Sequence, residues 1–267
     1  MKKVLVAFVM ILLLVSLCAC SVPADSFMSR TKVNSLVKNY PEPKAVVTLN
    51  YTTGSVNFEV QITYKLLLDK APIAVTRFIQ IANEGGYDGT LVDTLDTSYK
   101  YLIMGRYGKL DGESKYYNFR SGDVAFAGEF AQNGYREPSG GYAEFKTLSL
   151  AMYHENDGEH FNSANGTLIL ALEKDTLNPA NYAVFAEFES VTVREGEGEL
   201  KSYPEGRVPD YIKSHLLGFT ARTTRSVYDL HDENKSPFSV QIMSTEPTLK
   251  VTVSGSSDNW KKLPTIR

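Results

Sequence analysis

Short apolar runs separated by turn residues constrain the fold of this chain most strongly. Between Leu91 and Phe188, glycine, asparagine, aspartate and serine residues divide runs of only four to six residues from one another. Runs of this length are too short for most helices and are typical of β-strands. They cover residues 101–104, 124–127, 147–152, 167–172 and 183–188. A succession of short strands predicts a closed or nearly closed antiparallel barrel.

A hairpin and a helix are predicted before these runs. Two β-rich segments flank Thr52–Gly54 within Ala45–Tyr64, and apolar residues alternate from Val56 to Ile62. This alternation is typical of a strand with one buried face. From Pro72 onward, apolar residues recur at helical spacing until Gly85–Gly86. Proline suits the first turn of a helix and glycine follows its end, so this segment is predicted to be helical.

The C-terminal part holds a charged loop and two further predicted strands. The segment "REGEGELKSYPEGR" begins an insert at about 196–237, and within it "VPDYIKSHLLG" predicts a short helix from Pro209. The segment "FSVQIMSTEPTLKVTV" predicts strands at 238–243 and 248–253. Residues 254–267 are predicted to form a flexible tail.

The first twenty residues differ in character from the rest of the chain. Lys2 and Lys3 precede the apolar segment Val4–Leu17, which is short for a bilayer span and has the length of a signal-peptide core. "LCAC" follows, and its sequence up to Cys20 resembles a bacterial lipobox. The resemblance implies cleavage before Cys20 and a diacylglyceryl thioether on its sulfur.

Two alternatives to this interpretation stay open. Cys18 is the competing lipidation site, although the residue before it, Leu17, is not small. The other alternative is a plain secretory signal with incidental cysteines. On the lipoprotein interpretation, residues 1–19 are a signal peptide and residues 20–44 are a tether with a short helix near 33–37. The protein is then expected to be extracytoplasmic and lipid-anchored to the bacterial cell membrane.

Cysteine content and charge narrow the class of protein. Both cysteines lie in the leader, so the mature domain is expected to have no disulfide and to depend on its core alone. The net charge is −3 and the chain has no basic block. Nucleic-acid binding requires a positively charged face, so no nucleic-acid partner is predicted.

Several segments, taken in order, resemble those of cyclophilin-type peptidyl-prolyl cis-trans isomerases of the bacterial kind. They are "GSVNFEV", "APIAVTRFIQIANEGGYDGT", "GEFAQNG", "LSLAM", "NSANGTLIL" and "LNPANYAVFAEF". The resemblance covers about residues 45–195. It implies a mainly β fold, a cyclophilin-like closed antiparallel eight-stranded β-barrel with two capping helices, over residues 45–253.

The side chains that perform catalysis in this family are replaced in this chain. Rotation about a prolyl bond has a barrier of about 20 kcal/mol, and a catalyst must bind the twisted transition state better than the planar states. The family uses an arginine as hydrogen-bond donor, a glutamine near it and a phenylalanine in the pocket. The resemblance places Thr94, Met104 and Ile169 at these three positions.

The resemblance also implies a peptide groove made of compatible side chains. Its predicted residues are Tyr101, Leu102, Ala151, Ile169, Leu177 and Tyr182. The expected partners are proline-containing peptide or protein segments, and extracytoplasmic proteins are the expected clients.

The loss of three catalytic side chains predicts weak or no isomerase activity. Removal of a single preorganised donor commonly lowers a rate by about 10² to 10³. Arg106, directly after the "YLIMG" segment, is an alternative donor, and a solvated loop cation is the other interpretation of this residue. A second functional hypothesis is a non-catalytic structural or protein-interaction module that uses the same barrel.

One segment has the composition of a metal site. "HENDGEH", His154–His160, contains two histidines and three acidic residues, which are nitrogen and oxygen donors suited to a metal ion. Asn-Asp-Gly within it is typical of a surface turn, and the turn is the preferred interpretation. No metal site and no cofactor are therefore predicted.

Overall fold

The computed structural model describes residues 27–96, 100–121, 126–130, 133, 135, 143–155, 163–174, 182–203 and 221–254. These residues form two helices, α1 (Arg30–Asn39) and α2 (Pro72–Asn83), and thirteen strands. The strands are β1 (Lys44–Thr53), β2 (Val56–Leu66), β3 (Thr90–Asp96), β4 (Tyr101–Lys109), β5 (Tyr116–Asn118), β6 (Phe126–Ala127), β7 (Leu150–Glu155), β8 (Ser163–Ala171), β9 (Ala183–Glu195), β10 (Lys201–Tyr203), β11 (Arg222–Asp229), β12 (Phe238–Met243) and β13 (Thr248–Ser254). Neither helix in this part of the chain has the length and apolar character needed to cross a membrane.

Eight of the strands close into a barrel. Around the wall they follow the order β4, β3, β13, β1, β2, β9, β7 and β8, and each pairs antiparallel with the next. Strand β8 pairs back onto β4, with Ile169 opposite Ile103, and this pairing closes the wall. The predicted closed antiparallel eight-stranded barrel is confirmed, and β1 and β2 form the predicted hairpin.

Alternating side chains fill the barrel interior. Every second residue of β1 from Ala45 to Leu49 is fully buried, and the residues between them are partly exposed. Successive side chains of a strand point to opposite faces, so the buried set faces the interior. Helix α2 packs on the same core, where the ring of Phe78 lies 5.0 Å from that of Phe185 and 5.5 Å from that of Tyr87.

A side chain from a distant segment caps the N-terminus of α2. The residue before this helix is Ala71, whose side chain cannot accept hydrogen bonds from the first N–H groups of the helix. Both carboxyl oxygens of the buried Glu129 accept the N–H of Ile73 at 2.9 Å, and one also accepts the N–H of Ala74 at 2.9 Å. Burial raises the pKa of Glu129 to about 8, against the opposing effect of these hydrogen bonds. Glu129 therefore caps the first turn of α2.

A second layer of three strands lies outside the barrel wall. Strand β11 pairs parallel with β5 and antiparallel with β12, and β5 also pairs with β4 of the wall. The two layers share a buried apolar cluster, formed by Leu91, Tyr107, Tyr116, Val227 and Ile242. The predicted insert thus supplies β10 and β11, and the two predicted final strands are β12 and β13. The predicted helix from Pro209 and the tail after Ser254 lie outside the described residues.

Helix α1 lies within the segment predicted to be a tether. The Oγ of Ser29, at the N-cap, accepts the N–H of Lys32 at 3.4 Å. Val33 and Leu36 of this helix are buried, and Leu36 and Tyr40 belong to the main core. Residues 30–40 are therefore packed on the barrel. The leader, with both cysteines, lies outside the described residues.

Candidate functional site

Five residues from five strands form one continuous row across the barrel wall. Thr94 on β3 is opposite Ile103 on β4, and Ile103 is opposite Ile169 on β8. Ile169 is in turn opposite Ala151 on β7, which is opposite Val184 on β9. We call these five residues the outer row. The row brings together Thr94, Ala151 and Ile169, which the sequence assigns to one site from three distant segments.

Three residues of the outer row, Ala151, Ile169 and Val184, belong to an apolar cluster outside the barrel. Along β8, Leu168 and Leu170 belong to the main core, whereas Ile169 and Ala171 belong to a second cluster. Neighbouring residues of a strand face opposite sides, so the second cluster lies on the outer surface of the wall. Its members, with the half-buried side chains that pack on it, are Phe145, Ala151, Ile169, Ala171 and Val184, with Tyr101, Ala143, Tyr153 and Tyr182. We call this set the outer cluster.

The structure corrects the assignment of two residues on β4. Leu102 and Met104 have no exposed surface and belong to the main core. Leu102 therefore faces the barrel interior and does not line an outer groove. The position between Thr94 and Ile169 is occupied by Ile103 instead of Met104. A shift of one residue along a strand moves a side chain to the opposite face, which explains the difference.

The floor of the outer cluster is closed by the protein's own side chains. Ile169 is 1% exposed and Ala151 is fully buried. Phe145 is also buried, and its ring meets the ring of Tyr182 edge-on at 6.0 Å. Tyr101 and Tyr182 are half-buried at the margin of the cluster. Leu177, the remaining predicted groove residue, lies outside the described residues.

Arg106 is the described cation that lies beside the outer cluster. Its guanidinium lies 5.8 Å from the ring centre of Tyr153 and 4.5 Å from that of Tyr107. Its Nη2 donates to Oδ1 of Asp93 at 3.3 Å, and the Asp93 side chain is completely buried. Asp93 occupies a register irregularity of β3 between Val92 and Thr94. Arg106 is therefore held at the margin of the site by a buried carboxylate.

No metal centre is formed within the described ranges. No group of three or more histidine, cysteine, aspartate and glutamate side chains in them is arranged to hold a metal ion. The candidate segment His154–His160 is not covered by this finding, because its residues from 156 onward lie outside the described ranges. The absence of a metal site from that segment stays a prediction.

Gly166, in the segment "NSANGTLIL", is required by the backbone at the start of the β8 core. Its φ is +93°, and a Cβ at this position would lie 2.3 Å from Cδ1 of Ile81. We expect Gly166→Ala to lower the free energy of unfolding by about 2–3 kcal/mol, because it adds both backbone strain and crowding. Urea unfolding measures the change.

Gly112→Ala is the matched control for this substitution. Gly112 also has a positive φ, of +77°, but a Cβ there would have no neighbour within 4 Å. Its expected loss is about 1 kcal/mol, from strain alone. Equal losses in the two variants would show that crowding against Ile81 has no effect.

Comparisons with known proteins identify similar solved structures. The Mimivirus cyclophilin is 14% identical, with a TM-score of 0.44 over 81% of this chain and 91% of that chain. A cyclophilin-type peptidyl-prolyl cis-trans isomerase of Cryptosporidium parvum is 12% identical, with a TM-score of 0.39 over 78% of this chain and 97% of that chain. The latter protein was also crystallised in the presence of the dipeptide Ala-Pro. No family profile matches the chain, and no curated protein is significantly similar to it.

Proposed function

We propose that this chain is a cyclophilin-like protein that binds proline-containing segments of extracytoplasmic proteins with weak or no isomerase activity. It is lipid-anchored at the bacterial cell membrane through Cys20. The observation that carries the proposal is the composition of the outer row, which contains threonine, isoleucine, alanine and valine but no cationic side chain.

The outer row lacks what catalysis of prolyl rotation requires. The transition state loses amide resonance, so a donor aimed at the prolyl nitrogen stabilises it selectively. Ile103 and Ile169 have no polar group with which to donate. Arg106 has a guanidinium near the site, but its contacts with Asp93 and the rings of Tyr107 and Tyr153 hold it at the margin. Efficient isomerisation is therefore not expected.

The margin of the outer cluster supports binding of proline. Tyr101, Tyr153 and Tyr182 are half-buried and pack around its apolar floor. Aromatic side chains that border an apolar surface are the usual receptors for proline-rich segments, because the extended segment presents its rings at little entropic cost. A tyrosine also offers a hydroxyl to the peptide carbonyls.

The test is NMR of an Ala-Pro-containing peptide with the full-length protein in detergent micelles. We expect peptide signals to shift or broaden at millimolar peptide, and cis/trans exchange to stay at the uncatalysed rate. Tyr182→Ala should abolish the perturbation. Tyr228→Ala, which changes a half-buried tyrosine of the outer layer, should leave it unchanged. Exchange well above background would refute the proposed inactivity, and unperturbed peptide signals would refute the binding.

A second candidate function is a non-catalytic structural or protein-interaction module. The closed floor favours it, because Ile169 and Ala151 are buried under the chain's own side chains. On this candidate, the proline peptide leaves no perturbation on the wild-type protein. The same titration therefore separates the two functions.

Two cysteine variants test whether the lipid is attached to Cys20. With radiolabelled palmitate in the producing bacterium, we expect Cys20→Ala to lose the label and to leave the membrane fraction. Two hydrophobic chains give stable attachment, so the loss should be nearly complete. Cys18→Ala is the control and should keep both the label and the location. Label lost from Cys18→Ala and kept by Cys20→Ala would move the anchor to the other cysteine.

A further inference from the structure

Helix α1 concentrates positive charge on its exposed side. Its sequence contains Arg30, Lys32 and Lys38 and no acidic residue. All three cations are exposed, whereas Val33 and Leu36 are buried against the barrel. None of the ion pairs among the described residues involves these three cations. Their charge is therefore directed to the solvent.

The charge of α1 is opposite in sign to that of the barrel. Residues 21–44 contain four basic and two acidic residues, whereas the chain after residue 44 contains 22 basic and 29 acidic residues. In the segment that follows α1, Lys44 is paired with Glu189, and Glu42 is exposed. A negatively charged surface would therefore attract the side of the protein that carries α1 and repel most of the barrel.

An exposed apolar side chain accompanies the cations of α1. Val37 is 36% exposed, and it is one of three large apolar residues that are exposed in the described ranges. It directly precedes Lys38 in the last turn of the helix. Basic and apolar residues together on the exposed side of a helix are typical of helices that lie on a membrane surface.

The lipid anchor proposed at Cys20 would hold α1 close to a membrane. Seven residues separate Cys20 from Phe27, and a chain of this length spans at most about 25 Å. Phe27 and Met28 pack against the main core, and Ser29 caps the helix directly after them. A short connection gives a high effective concentration, so even a weak attraction between α1 and lipid headgroups is sufficient for contact.

We propose that α1 lies against the anionic lipid headgroups of the membrane to which the protein is attached. The inference rests on the lipid attachment proposed for Cys20. A basic residue at the surface of an anionic bilayer shifts the equilibrium toward the bound state about fivefold, and the three cations of α1 act together. The acyl chains supply attachment, and α1 holds the barrel in one orientation relative to the membrane surface.

The test is fluorescence quenching of the lipidated protein from the producing bacterium, reconstituted in vesicles. Asn34→Cys places a thiol on the exposed side of α1, and the other cysteine of the mature chain, Cys20, carries the lipid, so a bimane label attaches at residue 34 alone. The vesicles are phosphatidylcholine with or without phosphatidylglycerol, and both carry a short-range nitroxide quencher on the headgroup. We expect strong quenching in the anionic vesicles at low salt. At about 1 M salt, where the Debye length is about 3 Å, quenching should fall to the level of the neutral vesicles.

Charge variants of the labelled protein identify the side chains that make the contact. Arg30→Gln, Lys32→Gln and Lys38→Gln should each lower the ratio of quenched to unquenched label about fivefold, and the triple variant should lower it about 10²-fold. Glutamine keeps most of the helix propensity of these residues. Lys201→Gln is the matched control, because it removes the same charge from an exposed residue of β10. It should be quenched as its parent is.

The outcomes separate this inference from the proposed anchor. Equal quenching in neutral and anionic vesicles would overturn the inference and leave the anchor intact. So would a triple variant that is quenched as its parent is, or an equal loss of quenching in Lys201→Gln. Protein that does not stay on neutral vesicles would refute the anchor, and the inference with it.

Discussion

Glu129→Ala should lower the free energy of unfolding by about 3 kcal/mol, measured by urea unfolding followed by circular dichroism. Glu129 is buried and accepts the N–H groups of Ile73 and Ala74 at the first turn of α2. Alanine leaves both donors buried without an acceptor, and each unsatisfied donor costs about 1–3 kcal/mol. Loss of a helix cap alone typically costs about 1 kcal/mol.

Glu84→Ala is the matched control at the other end of α2. Glu84 is exposed at the C-cap of the helix, so its removal should change stability by less than about 0.5 kcal/mol. If Glu129→Ala and Glu84→Ala unfold at the same urea concentration, the capping role of Glu129 is ruled out.

The same carboxyl group should make stability depend on pH. The pKa of Glu129 is about 8 in the folded chain and its ordinary value is 4.5, so between these values the folded state binds more protons than the unfolded state. Stability from this group is complete below about pH 4.5 and is lost as the pH rises through 8. The glutamine of Glu129→Gln has no proton to lose, so its stability should not fall in this way. Relative to the wild type, the variant should therefore gain stability as the pH rises from 5 to 9. Parallel stability curves for the two proteins would contradict the raised pKa.

Thr94→Arg combined with Ile103→Gln should create isomerase activity in this barrel. The register places Thr94 directly opposite Ile103, and Ile103 directly opposite Ile169. The two substitutions would therefore supply a donor and a supporting amide on the outer row. A preorganised donor is worth about 10² to 10³ in rate, and we expect cis/trans exchange of an Ala-Pro peptide to rise by about 10² over the parent. Exchange spectroscopy of the peptide measures it.

Thr94→Arg with Met104→Gln is the control for this experiment. Met104 faces the barrel interior with no exposed surface, so glutamine there buries an amide in the core and does not reach the peptide. This variant should be less stable and should stay at the uncatalysed rate. Equal gains in the two double variants would show that the one-residue correction on β4 is wrong.

The barrel was predictable because its strands carry the signal locally. The hairpin of β1 and β2 alternates apolar and polar residues along its length, and turn residues separate the later strands. Strand β4 gives no such signal. "YLIM" is apolar at every position: Leu102 and Met104 pack in the core, Tyr101 packs on the outer cluster, and Ile103 is buried as well. A strand with no polar face gives no alternation from which its register can be predicted. Ile103 was missed for this reason.

Long-range side-chain contacts are a second feature of the structure that could not be predicted from the sequence. The acceptor for the N-terminus of α2 comes from a residue 55 positions away, and no local pattern marks Glu129 as a cap. Burial of Val33 and Leu36 likewise depends on the finished barrel and not on α1 itself. Side-chain partners chosen by tertiary packing cannot be derived from propensity or spacing.

The position of β13 has a consequence for how the chain reaches its folded state. This strand lies between β1 and β3 in the wall, with Ser254 opposite Lys44. The wall therefore stays open until residue 254 has been synthesised, and the pairing spans nearly the whole chain, which slows folding. Closure of this wall has to wait for its last strand, whereas a barrel whose strands pair in sequence order can assemble from its first hairpin onward.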